Sequence, residues 1–435
     1  MENNTLFKLI SGRAGTGKTY LAKQLCENDP SFGILASSTG ISAVNLGTTT
    51  INSLLRFFNT ESLQDKFIEG KLQASLRQIA KNYNYILLDE VSMTPGEQLD
   101  IIVSAIEQVN NYETVEKPLG LIVLGDAAQL PPVSTPSSPA KWFFEAECWK
   151  EKFQSNIEFL TKIWRQDNLA FIEALEFARL GQGLELLEHL RNLKVEFNNE
   201  LDTNFEGTTI FAKNQQVDNY NQVRLARLQG KLIQSTKKVE GKLLGEWNKI
   251  PDILDIKIGS YVMILVNKPL GYESGIATGF EYSNGDCGIV KDYNSELDQF
   301  TIELVRNSQE VKIGRINRYN ETKNKPSVFE EEGLNGFESY YDEERKRYIL
   351  GLVSFHPIRL AWGITTHKSQ GLTLDKVQLD FRNHFFSSPN MLYVALSRAR
   401  TIEGIRLIGK ESLISKRCNI DPKVLDWFKE IQNGN

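Results

Sequence analysis

The sequence predicts an α/β protein with two regions of mostly parallel β-sheet, the second of which carries an inserted β-module. Short, mostly apolar runs alternate with helix-like stretches in the first third of the chain, and such runs are typical of strands buried in a parallel sheet. A stretch of short β-runs interrupts a second α/β region further along. The length of 435 residues is sufficient for two to four domains.

The strands of the first region are predicted from its apolar runs. These runs are Phe7–Ile10, Phe32–Ala36, Tyr85–Leu88 and Leu121–Leu124. Each is followed by Gly, Ser or Asp and then by a helix-like stretch, which indicates a doubly wound sheet. Leu21 and Leu25 have the i, i+4 spacing of a helix that lies on this sheet after its first strand.

The second region begins with two helix-like stretches, about residues 168–181 and 217–229, to which we assign no chemistry. Short β-runs and a turn signal then predict the β-module. They are Tyr261–Val266, Asn284–Gly285 as the turn, Cys287–Lys291, Phe300–Val305 and Glu310–Ile313. We expect Glu330–Glu332 and Asp342–Glu344 to lie in solvated loops. The α/β pattern resumes at about Ile349.

The composition excludes several classes of protein. With 50 Lys and Arg against 55 Asp and Glu, the net charge of −5 argues against a basic protein that coats nucleic acid, but it does not exclude a local basic groove. Apolar residues make up 41%, which excludes a collagen-like or disordered chain. No run approaches the roughly 18 apolar residues of a membrane span, and no signal peptide is visible. The four cysteines lie far apart, so we expect reduced thiols in a cytoplasmic protein without a zinc site.

A phosphate-binding loop is predicted at Gly12–Thr19, which fits G-x-x-x-x-G-K-[ST] between an apolar strand and a helix. Glycines let successive backbone N–H groups point at phosphate oxygens, and the helix N-terminus adds its positive dipole. Lys18 reaches the β- and γ-phosphates, and Thr19 offers its hydroxyl to Mg²⁺. The predicted nucleotide-binding residues here are Gly12, Ala14, Gly15, Thr16, Gly17, Lys18 and Thr19.

Acidic and polar residues follow two more of the predicted strands. The run Tyr85–Leu88 ends in Asp89 and Glu90, beside the phosphate loop in an open α/β sheet. We expect Asp89 to hold Mg²⁺, and Glu90 to polarise the attacking water or accept its proton. Gln129, in the loop after the run Leu121–Leu124, is a neutral group that is able to contact a γ-phosphate.

These motifs, together with others in the same order, resemble the superfamily-one DNA helicases of the Dda/RecD-like branch, and most closely the petite-integration-frequency helicase family. The further motifs are Ala36–Ala43, Gly47, Thr50–Ser53, Asp89–Met93, Gly125–Asp126, Gln129–Pro132, Trp164–Gln166, Asn214, Val217, Asn221, Thr365–Gly371 and Tyr393–Arg400. The resemblance covers nearly the whole chain.

The resemblance implies two RecA-like domains that hold one ATP between them. The first covers residues 1–165, with a small insertion at about 55–78 that supplies a strand-separating wedge. The second covers residues 166–258 and 349–435, and residues 259–348 form an SH3-like β insertion. Phe57 and Phe58 are candidates for the wedge, although core packing is favoured for each. Packing is also favoured over base stacking for Trp142, Phe143, Phe144 and Trp149.

The resemblance also implies roles for residues in the later motifs. Arg165 and Arg398 reach the γ-phosphate, a role that suits a planar, permanently charged guanidinium. Gln370 and Gly371 contact the nucleotide and couple it to the DNA track. The implied DNA contacts are Ser38, Thr39, Asn52, Thr366 and His367.

The sequence departs from the family in two places. Only Met1–Thr5 precede the first strand, so the family's N-terminal helix with its adenine-reading glutamine is missing from this sequence. Asn52 stands where the family commonly has histidine; an amide is able to hydrogen-bond to DNA but gains no charge.

The function implied by the resemblance is an ATP- and Mg²⁺-dependent DNA helicase that translocates 5′→3′ on single-stranded DNA. We expect single-stranded DNA and duplex junctions as partners, no membrane, and a monomer in solution. The alternatives are an RNA helicase or nucleic-acid-stimulated ATPase that does not unwind, and an ATP-dependent switch. A switch is disfavoured because Glu90, Arg165 and Arg398 form a hydrolytic set that it does not need.

The phosphate-loop assignment predicts that Lys18→Ala abolishes ATP turnover, because the substitution removes a charge-assisted contact to the phosphates. The measurement is the ATPase rate with and without single-stranded DNA. Near-normal hydrolysis by this variant would refute the assignment.

Overall fold

The computed structural model divides into two compact units, Met1–Asp218 with Gly363–Asn435 and Asn219–Trp362. It describes residues 5–39, 42–43, 48–111, 117–133, 139–166, 168–242, 250–266, 268–270, 272–273, 276–277, 280–282, 286–322, 325–326, 336–344 and 347–433. The motif residues Gly40, Ile41 and Gly47, the predicted turn Asn284–Gly285 and the acidic run Glu330–Glu332 lie outside the described residues.

The first unit begins with a six-stranded sheet and the helices that connect its strands. In chain order these elements are β1 (Phe7–Gly12), α1 (Lys18–Asn28), β2 (Gly33–Ser37), β3 (Thr49–Thr50), α2 (Ile51–Leu55), α3 (Thr60–Ile68), α4 (Lys71–Ala80), β4 (Tyr85–Asp89), α5 (Gly96–Asn110), β5 (Gly120–Gly125), α6 (Trp149–Lys152) and β6 (Ile157–Leu160). The strand order is β3-β2-β4-β5-β1-β6, and every pairing is parallel.

Apolar burial explains this sheet and confirms the predicted strands. Ile10, Leu87 and Leu124 are buried together with Ala22 of α1, so the central strands are covered by helix as the near-continuous apolar runs predicted. Parallel strands place their carboxyl ends at one edge of the sheet. The residues that follow β1, β4 and β5 therefore meet there.

The same unit contains a second parallel sheet. Its elements before the second unit are α7 (Leu169–Arg179), α8 (Gly183–Asn192), β7 (Glu196–Asn198), β8 (Thr208–Phe211) and the helix α9 (Asn214–Arg227), whose later residues belong to the second unit. Helices α7 and α9 confirm the two predicted helical stretches.

The second unit, by itself, is built from antiparallel strands. They are β9 (Ile233–Thr236), β10 (Lys238–Gly241), β11 (Ile253–Ile256), β12 (Tyr261–Ile264), β13 (Lys268–Pro269), β14 (Tyr272–Glu273), β15 (Ile276–Ala277), β16 (Phe280–Tyr282), β17 (Cys287–Asn294), β18 (Gln299–Leu304), β19 (Glu310–Ile313), β20 (Ile316–Thr322), β21 (Tyr340–Asp342), β22 (Arg347–Phe355) and β23 (Ile358–Leu360). One five-stranded sheet has the order β19-β18-β17-β12-β23, and the predicted β-runs supply four of its strands.

The chain then returns to the first unit and completes the second parallel sheet. The remaining elements are β24 (Gly363–Thr365), α10 (Thr366–Ser369), β25 (Val377–Asp380), α11 (Met391–Leu396), β26 (Ile405–Ile408), α12 (Ile414–Arg417) and α13 (Pro422–Asn433). The sheet order is β24-β8-β25-β26-β7, with parallel pairings throughout.

The return to parallel sheet differs from the sequence-based boundary. The run that begins at about Ile349 forms β22, which pairs antiparallel with β10 and β20. The parallel arrangement resumes only at Gly363. An apolar strand pattern does not by itself distinguish a parallel from an antiparallel partner, and this explains the difference.

An aromatic cluster joins the C-terminal helix α13 to the segment that precedes β6. Trp427 packs with ring centroids 5.1 Å from Phe144, 5.7 Å from Phe143 and 6.1 Å from Trp149. The Trp142 indole N–H donates to Asp421 at 2.9 Å. This cluster confirms that packing, rather than base stacking, occupies these aromatic side chains.

Within the described part of the chain, none of the helices combines the length and the apolar character needed to cross a bilayer.

The aromatic cluster predicts that Trp427→Ala destabilises the first unit by about 3–5 kcal/mol, because it removes a large side chain that is 4% exposed and leaves a cavity. The measurement is the apparent free energy of unfolding in urea, followed by circular dichroism. Leu184→Ala is the control, since Leu184 is 73% exposed on α8 and its truncation costs less than about 0.5 kcal/mol. Equal unfolding midpoints for the two variants would contradict this role of Trp427.

Candidate nucleotide-binding site

The phosphate loop connects β1 to α1 and depends on two glycines. Gly15 and Gly17 both have φ of +82°, a left-handed conformation that favours glycine. A Cβ at Gly15 would also lie 2.7 Å from the Cβ of Arg165. The loop therefore admits no side chain at Gly15, and its backbone stays close to the arginine that sequence analysis assigned to the γ-phosphate.

Lys18, the first residue of α1, turns its side chain back over the loop. Its Nζ donates to the carbonyl oxygens of Gly12 at 2.6 Å and Arg13 at 2.9 Å. Burial lowers the pKa of Lys18, whereas Asp126 and Glu90 act in the opposite direction. An anionic phosphate beside this ammonium group would further stabilise its charged form.

Thr19 and Asp89 present adjacent oxygens at the end of β4. The Thr19 hydroxyl donates to Asp89 Oδ2 at 2.7 Å, and Asp89 Oδ1 accepts the backbone N–H of Glu90 at 2.9 Å. Burial, followed by the charge of Glu90, raises the pKa of Asp89.

This pair of oxygens fits Mg²⁺. The ion prefers hard oxygen ligands and is commonly held by one or two protein groups together with substrate phosphates. Among the described residues there is no cluster of three or more His, Cys, Asp or Glu side chains able to hold a metal. A hydroxyl and a carboxylate next to the phosphate loop match the one or two protein ligands of a metal that is held together with nucleotide phosphates.

Glu90 occupies an uncommon backbone conformation. Its φ of 58° and ψ of 43° are left-handed, which costs about 1–3 kcal/mol for a residue other than glycine. The Ser38 hydroxyl donates to its carbonyl oxygen at 2.6 Å, and Gln370 Nε2 donates to its carboxylate at 3.0 Å. Both hydrogen bonds hold Glu90 in place, so its carboxylate is oriented despite the strain.

Gln370 connects the second sheet to residues at the edge of the first. Besides Glu90, its Nε2 donates to Gln129 Oε1 at 3.2 Å, and its own Oε1 is buried without a hydrogen-bond partner in the described structure. Gln370 is 1% exposed and Gln129 is 3% exposed. The tertiary structure thus brings together three residues that lie in separate sequence motifs.

Two arginines approach the same place. Arg165 Nη1 donates to the carbonyl oxygen of Ser397 at 3.0 Å, and Arg398 donates to Val394 O at 2.9 Å and to the Ser397 hydroxyl at 2.7 Å. Burial lowers the pKa of both, and the charge of Arg165 contributes to lowering that of Arg398 to about 9. One buried and one half-buried cation that repel each other favour the binding of a polyanion.

These residues line one cavity of about 890 Å³. Its lining includes Ala14, Gly15, Gly17, Lys18, Thr19, Asp89, Glu90, Gln129, Arg165, Gly371 and Arg398. Gly12 and Thr16 belong to the same phosphate loop, and Gln370 is hydrogen-bonded to Glu90, which lines the cavity. The structure therefore brings the predicted nucleotide residues to a single site.

The predicted DNA contacts are distributed differently. Ser38 and Asn52 line a second cavity, of about 570 Å³, together with Phe58 and Val133. Thr39 uses its hydroxyl oxygen locally, as acceptor for the Ser42 N–H at 3.2 Å. In the second sheet region, the Thr366 side chain is buried and its hydroxyl donates to Phe211 O at 3.4 Å, whereas His367 is exposed.

The two candidate wedge phenylalanines have opposite environments. Phe57 is 3% exposed, which confirms core packing. Phe58 is 85% exposed, so core packing is wrong for it.

Sequence reasoning missed a buried hydrogen-bond network beside the phosphate loop. Arg179 donates to Asp126 Oδ1 from Nη2 at 3.0 Å and from Nε at 3.3 Å. The Tyr393 hydroxyl donates to Asp126 Oδ2 at 2.9 Å and accepts the Ala14 N–H at 3.0 Å. Asp126 and Tyr393 lie in motifs but received no role, and Arg179 lies in the helix α7, to which sequence analysis assigned no chemistry. A basic residue in the last turn of a helix is common and signals nothing specific.

Comparisons with known proteins find similar helicases. A family model described as PIF1-like helicase matches residues 1–200. The human ATP-dependent DNA helicase PIF1 is 28% identical over 441 residues, which cover 98% of this chain and 61% of the human protein. The ATP-dependent DNA helicase Pif1 of Bdellovibrio bacteriovorus is 28% identical over 436 residues, covering 97% of this chain and 88% of that protein.

The fold is also similar to solved structures. The Pif1 helicase from Bacteroides in complex with ADP-AlF3 and single-stranded DNA has a TM-score of 0.74 and 26% identity to this chain, covering 100% of it and 95% of the Bacteroides chain. These findings confirm the resemblance drawn from the motifs and the mixed α/β fold with parallel sheets.

The geometry of Glu90 predicts that Glu90→Gln lowers ATP turnover by about 100-fold or more, because the amide keeps the shape but is not a base. Nucleotide binding, measured by fluorescence titration with a labelled ATP analogue, is expected to change by less than about threefold, since the phosphate-loop contacts remain. Glu188→Gln, on the exposed face of α8, is the matched control. Loss of binding in parallel with turnover would contradict a specific role in hydrolysis.

Proposed function

We infer that the chain belongs to the PIF1-like helicase family, and we propose that it is an ATP-dependent DNA helicase that translocates 5′→3′ on single-stranded DNA and unwinds duplex DNA. One observation carries the proposal. Lys18, Glu90, Arg165 and Arg398, which lie far apart in sequence, line a single cavity beside the phosphate loop. The 5′→3′ polarity follows from the family likeness and from no particular residue contact.

Hydrolysis depends mainly on the placement of charge. Phosphoryl transfer spreads negative charge over the transferred group, and fixed cations stabilise that charge without reorganisation. Lys18, Arg165 and Arg398 supply the cations, and Glu90, held by Gln370, orients the attacking water and accepts its proton. Mg²⁺ held by Thr19 and Asp89 would neutralise charge on the phosphates.

Coupling to DNA is proposed to pass through Gln370. This side chain contacts both Glu90 and Gln129, and it directly follows the helix α10, which carries Thr366 and His367. Loss of the γ-phosphate would change the electrostatic environment of these two hydrogen bonds. Translocation requires that the nucleotide states differ in their affinity for DNA. The helix α10 is suited to link nucleotide and DNA, because it carries the proposed DNA contacts Thr366 and His367 and directly precedes Gln370.

Strand separation is proposed to involve the insertion at about residues 55–78. This stretch forms the helices α3 and α4, and Phe58 precedes them with 85% of its surface exposed. Phe58 shares a cavity with Ser38 and Asn52, two of the proposed DNA contacts. An aromatic ring at that position would stack on a base at the junction. The β-module is proposed to be the SH3-like insertion of the family, and the active species to be a monomer.

The proposal predicts that single-stranded DNA accelerates ATP hydrolysis and that the protein unwinds a duplex with a 5′ single-stranded tail in preference to a 3′ tail. The two duplexes differ only in the tail, and Lys18→Ala is the inactive control. Preference for the 3′ tail would refute the polarity. Hydrolysis stimulated equally by RNA, or stimulated by DNA without unwinding, would favour the alternative of a nucleic-acid-stimulated ATPase. Hydrolysis that ignores nucleic acid would favour an ATP-dependent switch.

A further inference from the structure

A buried ion pair lies beside the phosphate loop, outside the set of residues assigned to hydrolysis. Asp126, directly after β5, is fully buried, and Arg179, the last residue of α7, contacts it with two guanidinium nitrogens at 3.0 and 3.3 Å. Arg179 also lies 4.5 Å from the ring of Phe428 in α13. A buried carboxylate that loses its cation is strongly disfavoured, so the surrounding structure must keep Arg179 in contact with Asp126.

The hydrogen bonds around Asp126 have a fixed direction. The Ala14 backbone N–H only donates, so the Tyr393 oxygen accepts from it, and the single proton of the Tyr393 hydroxyl is directed at Asp126 Oδ2. The Ala128 N–H donates to Asp126 Oδ1 at 3.1 Å. Tyr393, Ala128 and Arg179 all donate to Asp126, and an ionised carboxylate accepts all of these hydrogen bonds. The orientation of Tyr393, and with it the Ala14 contact, therefore depends on the charge of Asp126.

The surrounding charges support this state of Asp126. Burial acts to raise the pKa of Asp126, but Arg179 and then Lys18 outweigh it and hold the pKa below its ordinary value. Arg398 is a further cation whose charge interacts with Asp126. Burial raises the pKa of Tyr393, so its hydroxyl keeps its proton.

A second, weaker connection runs in parallel from the same helix. Glu176, in α7, lies 3.7 Å from Arg179 and forms an ion pair with Arg13 of the phosphate loop, whose Nε lies 3.1 Å from the Glu176 carboxylate. Arg13 is 44% exposed, so this pair contributes less than the buried one. Both connections reach consecutive residues of the loop, Arg13 and Ala14, from α7 and α11.

We propose that Arg179 and Tyr393 are positioning residues for ATP hydrolysis. Arg179 holds Asp126 as a carboxylate, Asp126 orients the Tyr393 hydroxyl, and this hydroxyl holds the Ala14 amide at the start of the phosphate loop. The inference rests on the hydrolysis proposed above. It adds that the loop adopts its shape only while α7 and α11, which flank the second sheet, are docked against the end of β5.

In this proposal Arg179, Asp126, Tyr393 and Ala14 act one after another, a series arrangement that makes a distinctive prediction for substitutions. Tyr393→Phe removes the acceptor of the Ala14 N–H while keeping the ring, and we expect kcat/KM for ATP to fall about tenfold. Arg179→Gln is expected to lower it by about tenfold or more near neutral pH. Because both substitutions break the same chain, the double variant should be no more than about twofold worse than the poorer single variant. Two effects that multiply would overturn the series arrangement.

The pH profile separates positioning from a general loss of packing. In Arg179→Gln the pKa of Asp126 rises, because burial remains and only the more distant cations, Lys18 and Arg398, still oppose it. Protonation then removes the acceptor for Tyr393 as the pH falls. We expect the ratio of variant to wild-type kcat/KM to fall at least about fivefold between about pH 8.5 and pH 6. The ratio cancels titrations that both proteins share.

Further variants distinguish the charge of Arg179 from its geometry. Arg179→Lys keeps the cation, so the ratio of its kcat/KM to that of the wild type should not change with pH, although its kcat/KM is lowered. Asp126→Asn combined with Arg179→Gln leaves no carboxylate to titrate at this position. The fall in the ratio of variant to wild-type kcat/KM at low pH should then disappear. A flat ratio for Arg179→Gln alone would overturn the role assigned to Asp126. If that variant does not fold, normal kcat/KM in Tyr393→Phe would still refute the proposal.

The control is Arg191→Gln, which breaks an exposed ion pair with Glu411 in the same unit. It is expected to match the wild type at every pH. The design also separates this inference from the proposed function. A wild-type protein that hydrolyses no ATP would refute the function, whereas an active wild type with unaffected Tyr393→Phe and Arg179→Gln variants would refute the positioning role alone.

Discussion

Buried charge at the carboxyl edge of the first sheet is the constraint on which the site depends. Lys18, Asp89, Glu90 and Asp126 lie at or beyond the carboxyl ends of strands β1, β4 and β5, and all four are buried. Parallel strands bring these residues to one edge, and burial makes each charge costly unless a partner compensates it. Lys18 is the only cation among these four. The remaining compensation comes from cations on other elements.

The second sheet region supplies that compensation, and in doing so makes the site sensitive to how the two regions are docked. Arg165 follows β6, whereas Arg398, Tyr393 and Gln370 all come from the elements around β24 to β26. Gln370 contacts Glu90, and Tyr393 contacts Asp126. In the proposed function, a chemical event at the phosphates would change interactions that span both sheets, as a motor that converts hydrolysis into movement requires.

Apolar packing holds this arrangement in place away from the chemistry. The helix α13 follows the last strand of the second sheet and buries Trp427 against aromatic residues that precede β6 of the first. Its Phe428 lies over Arg179, so the aromatic cluster and the buried ion pair share one helix. Packing and charge are thus coupled, since displacement of α13 would uncover Arg179 and weaken its hold on Asp126.

The sequence by itself determined the elements whose signals are local. The phosphate loop, the apolar strands β1, β4 and β5, and the acids after β4 are visible because strand burial and phosphate binding require particular residues at short spacings. The tertiary structure alone decided how distant residues pair. Nothing near Arg179 indicates that it contacts Asp126, 53 positions away, or that Tyr393 reaches Ala14, 379 positions away. It also decided that Phe57 is buried and Phe58 exposed, a difference between two adjacent identical residues that no local sequence pattern distinguishes. Local patterns specify an element and its buried face, whereas partners across such separations depend on how the whole chain packs.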